Sequence, residues 1–78
     1  MPTVLRDGPY EVYFTSHDRD EPPHVHIDRD RLSAKNWLWP VRVAYNLGFS
    51  RHELRSVERL VSKHESQFLR QWHEYFGT

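Results

Sequence analysis

The chain has 78 residues, a formal net charge of zero, six histidines and no cysteine. These totals allow one domain, without a disulfide or a thiolate zinc site, whose core must come from side-chain packing or from association. A neutral chain is not drawn as a whole onto nucleic acid or anionic lipid, so only local patches serve such partners.

No apolar run approaches the length of a membrane span, and the start lacks the basic-then-apolar pattern of a secretory signal, so a soluble cytoplasmic protein is expected. Three tryptophans, four tyrosines and four phenylalanines are enough to fill a small core and leave some for a binding surface. The histidines make the chain basic in mild acid, because a free imidazole titrates near pH ~6.5.

Residues 1–49 read as strands and turns. Thr3 to Arg6 is a short extended segment, ended by the turn pair Asp7-Gly8, with Pro9 restarting the chain. From Tyr10 to Thr15, alternation puts Tyr10, Val12 and Phe14 on one face and Glu11, Tyr13 and Thr15 on the other. Ser16 to Glu21 is a charged loop closed by Pro22 and Pro23, which fix their own φ and donate no ladder bond. In the strand His24 to Asp28, period-two geometry sets His24 and His26 on one face and Val25 and Ile27 on the other. After the connection Arg29-Asp30-Arg31, a strand from Leu32 to Trp39 places Leu32, Ala34 and Leu38 opposite Ser33, Lys35, Trp37 and Trp39. Pro40 interrupts it, Val41, Val43 and Tyr45 suggest a short edge strand, and Asn46 to Phe49 turns the chain.

Residues 50–77 read as helix. Ser50-Arg51-His52-Glu53 has the capping-box pattern, in which serine and glutamate satisfy each other's free backbone donors. Apolar residues from Leu54 to Phe76 then recur at helical spacing, without glycine or proline before Gly77. A straight helix from Arg51 to Phe76 would be roughly 39 Å long, about twice the length of a six-residue strand. Either it breaks near Ser62-Lys63-His64, or the end bearing Phe68, Trp72, Tyr75 and Phe76 overhangs the sheet and docks on another chain; the docking alternative is the working expectation. The expected architecture is α+β: an antiparallel sheet of three to five strands with one long C-terminal helix packed on one face, over Tyr10, Val12, Phe14, Val25, Ile27, Ala34 and Leu38.

Several motifs together resemble one family. They are Met1-Pro2-Thr3-Val4-Leu5-Arg6, Gly8-Pro9-Tyr10, Glu21-Pro22-Pro23-His24-Val25-His26, Ala34-Lys35 with Trp37-Leu38 and Pro40-Val41-Arg42, Gly48-Phe49-Ser50, Glu53-Leu54 and Trp72-His73-Glu74-Tyr75-Phe76. The chain is similar, nearly end to end, to the small bacterial proteins grouped as domain of unknown function 4160. Trp39 and Asn36 stand where that family more often has an acidic residue and an aromatic. The resemblance implies a partner in a toxin–antitoxin-like gene pair, and carries no catalytic residue across.

Four chemistries compete for the His24/His26 face. A protein-binding reading uses Tyr13, His24, His26, Lys35, Trp37 and Trp39 as the surface, with Phe68, Trp72, Tyr75 and Phe76 as interface residues; the occupant is a second copy, a neighbour-encoded protein, or both. An RNA reading stacks bases on the same aromatics and adds Arg51, Arg55, Arg59 and Lys63, a basic stripe along the helix that reads equally as a solvated face. A metal-independent ribonuclease reading takes His24, His26 and His17 as acid and base, with Arg29 for phosphate. A metal reading takes His24 and His26 as two ligands and a third from His17, Asp18, Asp20 or Glu21; zinc suits that set, although spacing alone requires no metal and no cofactor is expected. The leading expectation is an interaction module of a toxin–antitoxin-like pair, with enzyme activity left open. The alternative is a ribonuclease-type toxin or RNA-binding protein, and a metal-binding domain comes third.

Overall fold

A computed structural model describes residues 2–78. Its chain order is β1 (Thr3–Asp7), β2 (Tyr10–Tyr13), a 3-10 turn (Ser16–Asp20), β3 (His24–Arg29), β4 (Leu32–Leu38), β5 (Val41–Leu47), α1 (Arg51–Lys63) and α2 (Glu65–Phe76). The strands form one antiparallel sheet in the order β1-β2-β3-β4-β5. Short connections force this meander except between β2 and β3, which the longer stretch with the 3-10 turn joins. Asp7 pairs with Tyr10, Arg29 with Leu32 and Leu38 with Val41, so each of these turns holds two residues. Gly8 and Asp30 take φ of 57° and 55° in two of them, and the third contains a cis Trp39–Pro40 peptide.

The tandem prolines work as a strand entrance through their carbonyls. Pro23 O accepts from Leu38 N at 2.9 Å, continuing the ladder, while Pro22 O faces His24 Nδ1 at 2.9 Å. β5 is a full seven-residue edge strand rather than a short one. A register irregularity between Lys35 and Asn36 interrupts its pairing, so Tyr45 opposes Lys35 while Val43 opposes Asn36.

The α+β architecture with strands first and helix last is as expected, but the C-terminal helical segment comes in two pieces. His64 adopts φ −111° and ψ 16° between them, with its ring near Leu60 O (Nδ1 at 3.1 Å) and stacked on Phe68. Neither glycine nor proline marks this break. The expected overhang is thereby removed: the longest dimension of the molecule is 35 Å, shorter than the roughly 39 Å of an unbroken helix. Phe68 and Trp72 are 0% and 3% exposed and belong to the core with Val57 and Val61. They therefore cannot serve a partner, and Phe76 is packed against the same core; Tyr75 is the exposed member of that set.

The sheet residues expected beneath the helix are where the alternation put them. Val12, Phe14, Val25, Ile27, Ala34 and Leu38 are essentially sealed, and Tyr10 packs at their margin. One position in that layer is polar. Asn36, paired with Val25 and Val43, is fully buried with neither side-chain atom bonded.

Ser50 caps α1, its Oγ accepting from Glu53 N at 3.1 Å. The reciprocal half of the expected capping box is diverted. Glu53 instead receives the Arg29 guanidinium at 2.5 and 2.6 Å and the Tyr10 hydroxyl at 2.7 Å, tying α1 to β3 and β2. Asn46 closes the β5–α1 turn by accepting from Phe49 N and donating to Phe49 O. Within it Gly48 has φ +101°, and a Cβ there would lie 2.6 Å from Leu32 Cδ2.

The chain closes on itself. Its radius of gyration is 11.5 Å and its surface 5038 Å², which match the values of about 11.5 Å and about 5000 Å² for a compact monomer of this size.

Candidate functional site

The side of the sheet away from the apolar core carries Glu11 and Tyr13 of β2, His24, His26 and Asp28 of β3, Ser33, Lys35 and Trp37 of β4, and Arg42, Tyr45 and Leu47 of β5; their registers place them in adjoining rows. This is the face predicted to hold the histidines. One correction is large: His24 is fully buried, so it is not a surface residue. Its ring lies 5.1 Å from Trp72, 5.6 Å from Trp37 and 5.2 Å from His26, centre to centre. Trp72 thus walls the site as well as filling the core. Period two assigns His24 to a face but cannot say that a distant helix covers it.

Asp18, on the 3-10 turn, supplies the centre of the arrangement. Its Oδ2 accepts from Thr15 N at 2.8 Å and lies 3.1 Å from His26 Nε2, and its Oδ1 lies 3.2 Å from His24 Nε2. Despite that proximity the alignment makes no hydrogen bond, and His24 Nε2 is left without a partner. Burial by itself raises the Asp18 carboxyl pKa, but the Thr15 N–H and the two imidazoles outweigh it and hold it below the ordinary value. Among the four acidic or imidazole groups offered by the loop, the turn selects Asp18. His17 is exposed and stands outside the cluster, as does Asp20.

A second network surrounds it. Tyr13 stacks on His26 at 5.2 Å and donates its hydroxyl to Asp28 Oδ2 at 3.0 Å, while Ser33 Oγ donates to Asp28 Oδ1 at 2.7 Å. Desolvation, reinforced by the Asp28 carboxylate, pushes the Tyr13 phenol up to about 12. Lys35 bonds Glu21 and lies over the Trp37 ring at 4.8 Å, and that ammonium pulls the Glu21 carboxyl below its usual range. These interactions escaped the sequence because Asp28 stands near the end of its strand and Glu21 in a charged loop, where spacing names no partner for either.

The proposed phosphate cation is misplaced. Arg29 turns to Glu53 and the Phe49 ring, away from the imidazoles. Arg51, Arg55, Arg59 and Lys63 are all exposed on α1, which packs on the other side of the sheet. Stacking aromatics and basic stripe therefore occupy opposite sides of the molecule.

The profile of the family described as domain of unknown function (DUF4160) matches residues 10–73. The chain belongs to this family. A search of the curated proteins and of the solved structures gives no match. The matched span of this DUF4160 chain holds the whole Asp18–His24–His26 cluster and Trp72. Among the described residues no helix is long and apolar enough to cross a membrane.

Proposed function

We propose that this DUF4160 chain is a cytoplasmic protein-binding module, one member of a two-protein pair of the toxin–antitoxin-like kind, and that it engages its partner through the β5 side of the open sheet face. The observation that carries this reading is apolar exposure where the fold has no need of it: Trp39 is 76% exposed, Leu47 60% and Tyr45 44%. Tyr45 and Leu47 project side by side from the open face, next to Arg42, which has no ion-pair partner among the described residues. Aromatic, aliphatic and arginine side chains together are the composition of an interface centre. The chain closes its own core as a compact unit, so the exposed patch is free for an occupant, which we take to be a separate protein. The β5 irregularity points the same way, because it interrupts the regular edge that a self-paired strand would extend.

RNA binding is less well supported, since a strand stacked on Trp37 and Tyr13 would meet Glu11, Asp28 and Glu21 rather than the α1 cations. Ribonuclease chemistry is weaker still. An acid and a base must flank the scissile bond, whereas both Nε2 atoms here converge on one carboxylate.

Size exclusion with light scattering tests the reading on the purified chain alone and mixed with the product of the adjacent gene. The expected result is a monomer alone and a 1:1 complex in the mixture, weakened about tenfold or more by Tyr45→Ser with Leu47→Ser. A complex indifferent to that double variant, or no complex at micromolar concentrations, overturns it. A self-dimer that the double variant abolishes would keep the surface and overturn the occupant.

A further inference from the structure

We infer that Asp18, His24 and His26 form a binding site for one divalent transition-metal ion of the zinc class, independent of the β5 contact surface. The inference starts from His24. Its Nδ1 lies 2.9 Å from Pro22 O, and a carbonyl only accepts, so Nδ1 carries the ring proton. In the neutral ring Nε2 is then a bare lone pair. It is fully buried, unbonded and aimed at Asp18 Oδ1 3.2 Å away, which is also an acceptor. Two lone pairs facing each other out of water are unfavourable unless a proton or a metal ion lies between them, and the metal is the alternative that also draws in His26.

The third donor completes a set. His26 Nε2 lies 3.1 Å from Asp18 Oδ2, and one ligand atom from each residue falls within 4.8 Å of the others. Zinc bonds of about 2.0–2.2 Å in a tetrahedron put neighbouring ligand atoms about 3.3–3.6 Å apart. The observed nitrogen–oxygen separations of 3.1 and 3.2 Å, one to each carboxylate oxygen, need a few tenths of an ångström of spreading, and the widest donor pair, within 4.8 Å, closes by about 1 Å around one ion. The surroundings are those a ligated imidazole requires. Pro22 O fixes the tautomer of His24, the Thr15 N–H orients Asp18, and Tyr13, Trp37 and Trp72 keep the nearby shell apolar. Two imidazoles and a carboxylate favour zinc, cobalt or nickel over magnesium, which prefers oxygen alone. Three protein ligands leave a position for water or for a donor brought by a bound protein.

The test titrates the full chain, freed of metal, with zinc, cobalt(II) and magnesium by calorimetry, with visible absorption of the cobalt form and nitrogen NMR of the histidine rings. The expected result is one zinc per chain, a cobalt absorption band typical of low coordination number, no magnesium binding, and zinc-induced shifts confined to Nε2 of His24 and His26. Asp18→Asn and His26→Ala are each expected to weaken zinc about 100-fold or more, and His17→Ala to leave it unchanged. If either ligand variant fails to fold, the ring-nitrogen spectra of the natural chain decide alone. Absence of zinc binding at micromolar concentrations, with His24 Nε2 carrying a proton, overturns the site, as does binding whose shifts fall on His17, His52, His64 or His73.

Discussion

On the helix-covered side of the sheet, Val12, Val25, Ile27, Ala34 and Leu38 join Val57, Val61 and Phe68 in one apolar core, with the Asn36 amide as its single polar member. On the open side, burial is achieved around polar groups: His24, Asp18 and His26 lie together, roofed by the 3-10 turn and walled by Trp72 and Trp37. Both sides hold a buried side chain with unmet hydrogen-bonding capacity. On the covered side the Asn36 amide has no hydrogen-bond partner among the described residues, whereas on the open side a carboxylate and a second imidazole converge on the His24 nitrogen. An unpaired polar group in an apolar layer reads as a cost the fold tolerates, and one that converges with others reads as a site.

Trp72 belongs to both sides, contacting Phe14 at 5.2 Å and His24 at 5.1 Å between ring centres. Its removal is expected to have the largest effect. Trp72→Ala should cost about 3–5 kcal/mol, a large part of the roughly 5–15 kcal/mol that holds a typical domain together. Phe68→Ala should cost a similar amount by urea denaturation, but without loosening His24. Ring-nitrogen spectra of the two variants separate them: an unchanged His24 signal in Trp72→Ala would mean that the two sides are not joined through this residue.

Asn36 and His24 allow the comparison to be made by one kind of exchange. Asn36→Leu replaces an unbonded amide by an apolar group of similar size and is expected to raise stability by about 1–3 kcal/mol. His24→Leu should do the opposite, because Pro22 loses its donor and the Asp18 carboxylate is left facing hydrocarbon. Urea midpoints of the two variants read both signs. Two gains would make His24 merely another tolerated defect.

Much of the fold was legible because its signals are local. Alternation from Tyr10 to Phe14 and from Val25 to Ile27, turn residues such as Asp7-Gly8, and Ser50 as cap each act within a few residues, and short turns leave a meander little choice. What escaped depends on contacts far along the chain. The break at His64 is one of two readings of the helix length, but no helix-breaking residue there favours it over a docking overhang, and Glu53 exchanged its capping role for Arg29, 24 residues away. The site was legible in half. Spacing paired His24 with His26, but choosing Asp18 over its neighbours required the shape of the turn, and the burial of His24 required Trp72.

The smallest expected effect concerns charge at two anchors, one on each side. The Arg29 guanidinium, followed by the Tyr10 hydroxyl, holds the Glu53 carboxyl below its ordinary value of 4.5, against the opposing effect of burial. On the open side, Lys35 does the same for the more exposed Glu21. A carboxyl whose pKa is lowered by folding stabilises fully above its unfolded value and loses that contribution as the pH falls through the folded one. Both anchors therefore contribute at neutral pH and fade below about pH 4.5. Glu53→Gln should lower the urea midpoint at pH 7 and flatten the acid limb of the stability curve below that point, with Asp18 leaving a residual slope in every variant. Glu21→Gln should change both quantities less, since solvent screens an exposed pair. The ranking follows from what each pair joins: Arg29 and Glu53 fasten α1 to β3, while Lys35 and Glu21 fasten only a loop to a strand. Equal flattening in the two variants would show that the helix is held by its apolar face alone.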